Sequence, residues 1–380
     1  MQECKLQGSY NIDVGTDNSL KLVQISASLD FKLGGPVSVV KGVNAEIEKY
    51  YNSSLLIFGK CEISLKNSLR EKTLFDNRYG LISNLASTKF RSKLASADIL
   101  LIHGYYLFSS LYALKFSKTR SVFIMPHGSL ENYQAKRGVV RKRIFDFLFF
   151  RLLNGRQVKF LLGSNQEVSS VRERFPKVKI EVVGLGISQD FEIPINNISE
   201  GKTIHLYCMS RIATKKRIDL CLHALKILKN SEYDFHLSVY GSGSKALENS
   251  LYGLAVNLGI QGIVDFKGHV NDFDRISAIM KSHIFLLPSE NENFAVAVAE
   301  SIHGLRPVVI SKNVAMHEFV DKHKAGFIIE NLSPEALANG ILDVVENYQA
   351  YVNNCKISRD YLSWENVFEK WLIAIRNGMN

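Results

Sequence analysis

The sequence predicts an α/β protein built of two doubly wound, Rossmann-like parallel sheets that face each other across a cleft. Three observations support this prediction. Short apolar runs typical of buried strands alternate with helical patterns along most of the 380 residues. A polar segment at 188–202, which contains Pro194 and Gly201, interrupts the alternation and indicates a linker. The alternation then begins again, so we expect one domain at 1–187 and a second at 203–360.

The first domain opens with an apolar run at 21–26, which leads through Gly34-Gly35 into a helical pattern over 37–50. A strand, a Gly-Gly turn and a helix in this order are typical of a Rossmann-like unit. Four further apolar runs predict the remaining strands at 54–58, 99–102, 121–125 and 159–162. Helical patterns at 108–116 and 165–175 supply the crossover connections that parallel strands require.

The second domain repeats this arrangement. Six apolar runs predict its strands at 203–208, 236–240, 264–267, 284–287, 307–310 and 326–329. Helical patterns separate the first four of them, at 218–228, 245–258 and 273–279. A helical region follows at 335–380, in which Trp364 and Trp371 are seven residues apart and therefore share one face.

Composition and charge exclude several classes of protein. The net charge of +10 suits a nucleic acid, an anionic membrane or a phosphorylated small molecule, but no nucleic-acid-binding motif occurs. The five cysteines are scattered and odd in number, which argues against a disulfide framework or a zinc site and favours a reducing cytoplasm. Residues 1–20 lack an apolar core and no run of about 18 apolar residues occurs, so we expect neither a signal peptide nor a transmembrane helix.

Basic residues concentrate at 136–156, where the sequence is KRGVVRKRIFDFLFFRLLNGR. Arg and Lys alternate there with Ile, Phe and Leu, and two interpretations stay open. The segment is either a basic amphipathic helix that lies on anionic lipid, or a core helix whose aromatic stripe points inward and whose basic face is solvated. We expect a cytoplasmic protein. Under the first interpretation, it would also attach peripherally to the cytoplasmic face of the inner membrane.

Two carboxylates follow the apolar run at 284–287. Glu292 lies in the predicted strand-to-helix loop, and Glu300 lies about two turns along the next helix. Open α/β sheets bind ligands at the carboxyl ends of their strands. The acid in the loop can accept hydrogen bonds from sugar hydroxyls, and the acid on the helix can reach a second diol such as a ribose. The alternative is that both are surface or capping residues, since Glu is a good helix former.

Four basic residues follow the first strand of the second domain, and these are Arg211, Lys215, Lys216 and Arg217. They precede a helix whose N-terminus adds backbone N–H donors and a partial positive charge. Arginine binds phosphate through two parallel hydrogen bonds, and lysine acts as a point charge. The segment therefore predicts a phosphate site, with a solvated basic loop as the alternative.

Three further loops follow predicted strands. Gly243 ends a Gly-Ser-Gly turn that permits close approach to a ligand but lacks the third glycine of a dinucleotide fingerprint. His127 lies at the mouth of the cleft, where it either binds a sugar hydroxyl or has a structural hydrogen bond. Asp272 and Asp274 form an Asp-x-Asp pattern that opens a helix, so a capping role for Asn271 or Asp272 is favoured over metal binding and no metal is expected.

With these residues placed, the chain resembles the retaining glycosyltransferases of family four, which have the GT-B fold. The resemblance covers nearly the whole length and is strongest over 210–326. The family's Glu-x7-Glu motif matches Glu292 and Glu300. Its Arg and Lys after the first strand of the second domain match Arg211 and Lys216.

The first domain adds two matches. The family's Gly-Gly turn matches Gly34-Gly35, and its histidine matches His127 in the segment PHGSLENYQAK, which is similar to bacterial surface-polysaccharide members. The helix at 361–380 resembles the one that crosses back onto the first domain in this fold. One departure is Ala295, which stands where the family usually has glycine and is expected to tighten the loop and alter the choice of sugar.

The resemblance implies how the nucleotide part of a donor would bind. Arg211 and Lys216 would bind its diphosphate and Glu300 its ribose. The backbone near Val270 would contact the base, either uridine or guanosine, and Gly243 would line the same donor site. The two cations and a helix N-terminus would stabilise the charge on the departing diphosphate, without a metal or another cofactor.

The resemblance also implies how the sugar would be held. The residues of this implied sugar site are His127, Glu292, Asn293, Phe294 and Ala295. Glu292 and the following backbone would bind the transferred sugar, and His127 would hold one of its hydroxyls. The Gly34-Gly35 turn would leave room for the acceptor and the phosphate.

We therefore expect a retaining glycosyltransferase that moves a sugar from a UDP- or GDP-sugar to a glycan or lipid-linked saccharide in surface polysaccharide or lipopolysaccharide biosynthesis. No residue is assigned as a nucleophile, because the departing oxygen would itself deprotonate the acceptor. Two alternatives remain. A nucleotide-sugar epimerase would turn over the donor with no acceptor present, and a non-catalytic binding protein would release no nucleotide when an acceptor is supplied.

Overall fold

A computed structural model of the chain describes residues 17–30, 34–61, 65, 67–70, 88–131, 139–188, 194–199 and 201–379. Most of the N-terminal segment at 1–20, Lys136 and Arg137 of the basic segment, and linker residues 189–193 and 200 lie outside these ranges. The described chain forms two all-parallel sheets flanked by helices, so the predicted fold class is confirmed. None of the described helices is long and apolar enough to cross a bilayer.

The first sheet contains β1 Asp17–Ser26, β2 Tyr51–Ile57, β3 Ser68–Arg70, β4 Ile99–His103, β5 Ser121–Met125, β6 Gln157–Leu162 and β7 Lys179–Val182. Its strand order is β3-β2-β1-β4-β5-β6-β7. The helices described alongside it are α1 Gly35–Tyr50, α2 Thr88–Ala95, α3 Phe108–Phe116, α4 Val139–Leu153 and α5 Gln166–Arg174. The strand order reverses between β1 and β4, which is the point where doubly wound sheets bind ligands.

The second sheet contains β8 Ile204–Met209, β9 Phe235–Tyr240, β10 Val264–Gly268, β11 Ile284–Leu287, β12 Val308–Ser311 and β13 Gly326–Ile329, in the order β10-β9-β8-β11-β12-β13. Its helices are α6 Ile218–Leu228, α7 Lys245–Asn257, α8 Asp272–Lys281, α9 Val296–His303, α10 His317–His323, α11 Pro334–Glu346 and α12 Tyr348–Ser358. Here the order reverses between β8 and β11. The loops that follow these two strands therefore emerge side by side.

The central strands are buried on both faces, which explains why continuous apolar runs predicted them. Every residue of β4, β5 and β11 is buried. The two strands that the sequence pattern missed, β3 and β7, lie at the edges of the first sheet. All four residues of β7 are exposed or half-buried, so the hydrophobic pattern that identifies strands is absent there.

The last helix, α13 Trp364–Arg376, packs on the first sheet although the second sheet precedes it in the chain. Trp371 is fully buried and its indole N–H donates to the Gly184 carbonyl at 3.2 Å. The Trp364 ring lies where a side chain on Gly42 of α1 would stand, so this glycine permits close approach of the two helices. Trp364 and Trp371 occupy one face of the helix, as their spacing predicts.

Candidate functional site

The candidate site begins with two adjacent loops at the carboxyl ends of β8 and β11. Because these strands pair in register, with Ile284 opposite Leu206, their loops meet directly above the sheet. The Lys215 carbonyl accepts hydrogen bonds from the Glu290 N–H at 2.8 Å and from the Ser289 hydroxyl at 2.9 Å. The predicted phosphate loop and the predicted sugar loop are therefore one continuous surface.

Glu292 is the centre of an ion-pair cluster on this surface. Its Oε1 lies 2.7 Å from Lys216 Nζ and 3.3 Å from Lys215 Nζ. Burial acts to raise the pKa of Glu292, but the two lysines outweigh it and hold the pKa below its ordinary value. Burial lowers the pKa of Lys216, and Glu292 offsets part of that effect. The arrangement places a carboxylate directly beside two lysine side chains in a largely desolvated position.

Arg211 lies at the edge of this cluster with its side chain exposed. Its guanidinium has no hydrogen-bond or ion-pair partner within the described parts of the chain. It is close enough to Lys216 that its charge helps to lower the pKa of that lysine. A guanidinium next to a lysine, with no carboxylate of its own, is suited to an anionic ligand.

Glu300 lies on α9 and is buried, with an ion pair to Arg275 of α8. The sequence reasoning did not select Arg275. It stands immediately after the Asp-x-Asp pattern, and Asn271 caps that helix by accepting from the Asp274 N–H at 2.9 Å. The sequence did offer a signal for Arg275. It is a cation one residue after an acidic pair, on a helix that begins at the edge of the sheet where ligands bind.

Ala295 adopts a left-handed backbone with φ of 62°, immediately before α9. This conformation costs a non-glycine residue about 1–2 kcal/mol. His127 and Arg217, with φ of 51° each, are also left-handed. Strained backbone of this kind clusters at functional sites, and here three such residues lie in loops above the sheets.

His127 begins a hydrogen-bonded chain that runs into the first sheet. Its Nε2 lies 3.2 Å from His103 Nδ1, and His103 Nε2 lies 3.2 Å from Gln24 Oε1. Burial lowers the pKa of His127 to about 4, and burial with the adjacent His127 holds the pKa of His103 well below its ordinary value, so both rings are neutral near pH 7. Since the Gln24 oxygen can only accept, His103 donates from Nε2 and accepts at Nδ1 from His127. His127 is left with Nδ1 as a hydrogen-bond acceptor, which suits a sugar hydroxyl.

The two domains meet at the loop that enters α9. The Ser164 hydroxyl bonds to Asn293 Oδ1 at 2.9 Å, and a side chain on Gly128 would contact Asn293 at 3.4 Å. Across the same seam, a side chain on Gly35 would contact Val296 of α9 at 3.5 Å. Phe294 packs against the cores of both domains. The structure thus brings the Gly-Gly turn, the His127 turn and the Glu292 loop together.

Two residues that are predicted to contact the donor, Gly243 and Val270, lie in other loops than the ion-pair cluster of Glu292. The Gly243 N–H donates to the Glu248 carboxylate at 2.6 Å, and a side chain on Gly243 would collide with the backbone of Ile212. This glycine therefore sets the position of the loop that holds Arg211. Val270 is half-buried beyond β10. Ligand contacts by Gly243 and Val270 stay predictions.

No group of three or more His, Cys, Asp or Glu side chains in the described ranges is arranged to hold a metal ion. The expectation of a reaction without a metal stays a prediction.

Comparison with known proteins identifies the second domain. Residues 188–359 match the family described as glycosyl transferases group 1. A GDP-mannose-dependent alpha-(1-6)-phosphatidylinositol dimannoside mannosyltransferase of Mycobacterium tuberculosis is 25% identical over 169 residues, which are 43% of this chain and 42% of that protein. The chain spans about half the length, or less, of the first curated relatives it matches.

Two solved structures share the whole fold. WaaG, a glycosyltransferase involved in lipopolysaccharide biosynthesis, matches with a TM-score of 0.69 at 15% identity, over 93% of this chain and 99% of that one. Anabaena Alr3699/HepE in complex with UDP and glucose matches with a TM-score of 0.74 at 14% identity, over 94% and 99%. The GT-B fold is therefore confirmed, and within it residues 188–359 are similar to the group 1 glycosyl transferases.

Proposed function

We propose that this protein transfers a sugar from a nucleoside-diphosphate sugar to a glycan or lipid-linked saccharide in surface polysaccharide biosynthesis. The observation that supports it is the cluster of Arg211, Lys215 and Lys216 with Glu292 above β8 and β11, opposite His127. The family match over residues 188–359 and the fold shared with a lipopolysaccharide glycosyltransferase point to the same class of reaction.

The basic loop would bind the donor diphosphate. Arg211 is free to form two parallel hydrogen bonds with phosphate oxygens. Lys216 is paired with Glu292 and would turn from it to the donor phosphate. No side chain caps the N-terminus of α6, so its first N–H groups add to the anion site. Glu300, held by Arg275, would receive the ribose hydroxyls of either a uridine or a guanosine donor.

The transfer would proceed with retention of configuration and without a covalent enzyme intermediate. The bond between the anomeric carbon and the diphosphate oxygen breaks while the acceptor oxygen bonds to the same face of that carbon. The acceptor proton passes to the departing oxygen. Arg211 and Lys216 stabilise the charge that develops on the diphosphate, which is the kind of preorganised electrostatic effect that dominates many enzymes.

Substitution of the two cations tests the proposal. We expect Arg211→Ala and Lys216→Ala each to lower kcat/KM by about a hundredfold to a thousandfold, as removal of one oxyanion donor does. The donor is first identified by thermal shift with UDP- and GDP-sugars, because a ligand that binds only the folded state raises Tm. Lys226→Ala removes one charge from the exposed far end of α6 and serves as the control.

Turnover near the wild-type rate in both variants would overturn the phosphate role. Donor consumption without an acceptor would indicate an epimerase instead. Donor binding without any product in the presence of lipid-linked or free saccharides would indicate a binding protein.

Helix α4 supports a second proposal, that the protein docks on an anionic membrane surface. Both interpretations of the basic segment describe part of this helix. Phe145 and Phe149 stack at 5.6 Å and contact Tyr105 in the core. The opposite face exposes large apolar side chains next to basic ones, namely Val139, Val140, Ile144, Phe147, Leu148 and Phe150 with Arg141, Arg143 and Arg151. Apolar groups flanked by cations suit the interface of a membrane rich in anionic lipid.

Vesicle sedimentation tests this second proposal. We expect binding to phosphatidylglycerol vesicles and weak binding to phosphatidylcholine vesicles. Phe147→Glu, at a side chain that is 66% exposed, should abolish binding. Phe273→Glu, which alters a side chain 80% exposed on α8 of the other domain, should not. Equal sedimentation of both variants with anionic vesicles would contradict it.

A further inference from the structure

Glu131 is a buried carboxylic acid beside the candidate site that no other part of the mechanism uses. It is 8% exposed and follows β5 through the turn that contains His127. Its N–H bonds to the Gly128 carbonyl at 3.2 Å, which closes this turn and fixes where the side chain begins. Its position is therefore set by the same backbone that sets the position of His127.

The side chain of Glu131 is directed at the seam between the domains. A side chain placed on Gly128 would meet Glu131 Oε1 and the Asn293 side chain at the same distance, 3.4 Å, so both lie on one side of that glycine. Asn291 of the opposite loop is also within hydrogen-bonding reach of the carboxyl group. Glu131 thus stands opposite the loop that contains Glu292.

One oxygen of this carboxyl group, Oε1, has no hydrogen-bond partner among the described residues. The Oδ1 atom of Asn291 is likewise buried without a partner there. The neighbouring Glu167 differs, because its two oxygens accept the N–H groups of Gly128 at 2.8 Å and Gly163 at 3.1 Å. A buried carboxylate oxygen without a donor is costly, and it is rare enough in native proteins to require an explanation, which a donor group on a bound ligand would supply.

The charges around Glu131 fit a polar, uncharged group as that ligand. Glu167, Glu292 and Lys215 are the charged groups that act on it. Burial, Glu167 and Glu292 raise its pKa to about 7, while Lys215 and the Asn291 amide act in the opposite direction. A further anion would be repelled by the carboxylates. A hydroxyl group can donate to the carboxylate without adding charge.

We propose that Glu131 is a sugar-binding residue whose Oε1 accepts a hydrogen bond from a hydroxyl of the donor's transferred sugar. This inference rests on the proposed function and adds a second carboxyl group to its sugar site. The transferred sugar is the moiety that fits, because Glu131 lies in the turn of His127 and opposite the loop of Glu292 and Asn293, which are the residues of the proposed sugar site. No bond is made or broken at Glu131, so its role is in binding and positioning.

Calorimetric binding to the full-length chain tests the inference. UDP is compared with UDP-glucose, and GDP with GDP-mannose, so that the gain in affinity due to the sugar is measured separately from the nucleotide. We expect Glu131→Ala to reduce that gain by about tenfold while leaving the affinity for the bare nucleotide unchanged. Glu131→Gln retains an acceptor oxygen without the charge and should reduce it by about threefold.

Glu318→Gln is the matched control, since Glu318 is a carboxylate at the same seam whose Oε2 accepts from Asn165 across the domains at 3.0 Å. It should leave the sugar-dependent gain unchanged, and thermal unfolding of each variant verifies its fold. A Glu131→Ala protein that keeps the full gain, or a wild type that shows no gain, would overturn the role of Glu131. A wild type that binds none of the four nucleotides would instead overturn the proposed function.

Discussion

At the scale of single residues, Ala295 has a strained backbone in the loop where the two domains meet. Glycine adopts its left-handed backbone freely, whereas alanine does not. We predict that Ala295→Gly raises the free energy of unfolding by up to about 1 kcal/mol, because relief of strain exceeds the added entropy of the unfolded chain.

Ala297→Gly is the opposite control, two residues further on and inside α9. There the same exchange should lower the free energy of unfolding by about 0.5–1 kcal/mol. Urea denaturation measures both variants. Destabilisation by Ala295→Gly equal to that of the control would show that the left-handed backbone stores no strain.

Glu131 predicts a pH dependence of stability that can be isolated from other groups. Its folded pKa of about 7 lies above the ordinary carboxyl value of 4.5, so the folded chain holds this proton longer than the unfolded chain does. Stability contributed by the neutral form is therefore complete below about pH 4.5 and is lost as the pH rises to about 7.

Glu131→Gln cannot titrate, so its free energy of unfolding relative to wild type should rise by up to about 3 kcal/mol between pH 5 and pH 8. Taking the difference between the two proteins cancels the histidines that titrate in the same range. Urea denaturation at several pH values provides the measurement. Parallel pH profiles would contradict the prediction.

The candidate site was predictable where charge and position in the sequence coincide. Arg211, Lys216 and Glu292 follow predicted strands directly, and the structure joins the last two in an ion pair. Arg275 and Glu131 were not selected, because their significance comes from partners distant in sequence or from a missing partner. Pairing of Arg275 with Glu300, and the unpaired oxygen of Glu131, exist only after folding.

At the scale of helices and strands, burial decided what the sequence could predict. Strands with two buried faces were found within four residues of their true limits, and β5 and β11 were found without error. Helix α4 was ambiguous because only Phe149 is fully buried in its 15 residues, while its exposed face is also apolar. A hydrophobic pattern cannot distinguish a face that meets the core from one that remains open.

Helix α13 carries the clearest energetic prediction at this scale. Trp371 is packed on all sides, with 0% of its surface in contact with solvent. Trp371→Ala should lower the free energy of unfolding by about 3–5 kcal/mol, through the lost transfer energy and the cavity that remains. Ile357→Ala, at a side chain 70% exposed on α12, should change it by less than about 0.5 kcal/mol. Similar midpoints in urea for both variants would refute the structural role of Trp371.

At the scale of the whole molecule, the two domains are joined twice. The linker connects them in sequence, and α13 returns from the second domain to pack on the first. The Ile187 N–H also bonds to the Leu362 carbonyl at 2.8 Å. At this point the chain that enters the linker runs beside the chain that returns to the first domain. A cut in the linker should therefore leave the domains associated.

A protease site inserted between Gly201 and Lys202, two exposed residues, tests this. After cleavage, we expect both fragments to elute together in size-exclusion chromatography. The same cut in a Trp371→Ala background should weaken their association. Separation of the fragments in the otherwise wild-type chain would show that the packing of α13 contributes little to domain association.

The return of α13 also has a consequence for synthesis. The apolar face of α1 that contains Val39, Val43 and Ile47 is covered by Trp371 and its neighbours, which are made more than 300 residues after α1 itself. At about 5–20 residues per second, the ribosome leaves this face open for roughly 15–60 s. The earliest part of the chain is thus the last to be completed, and during translation it presents the kind of surface that chaperones bind.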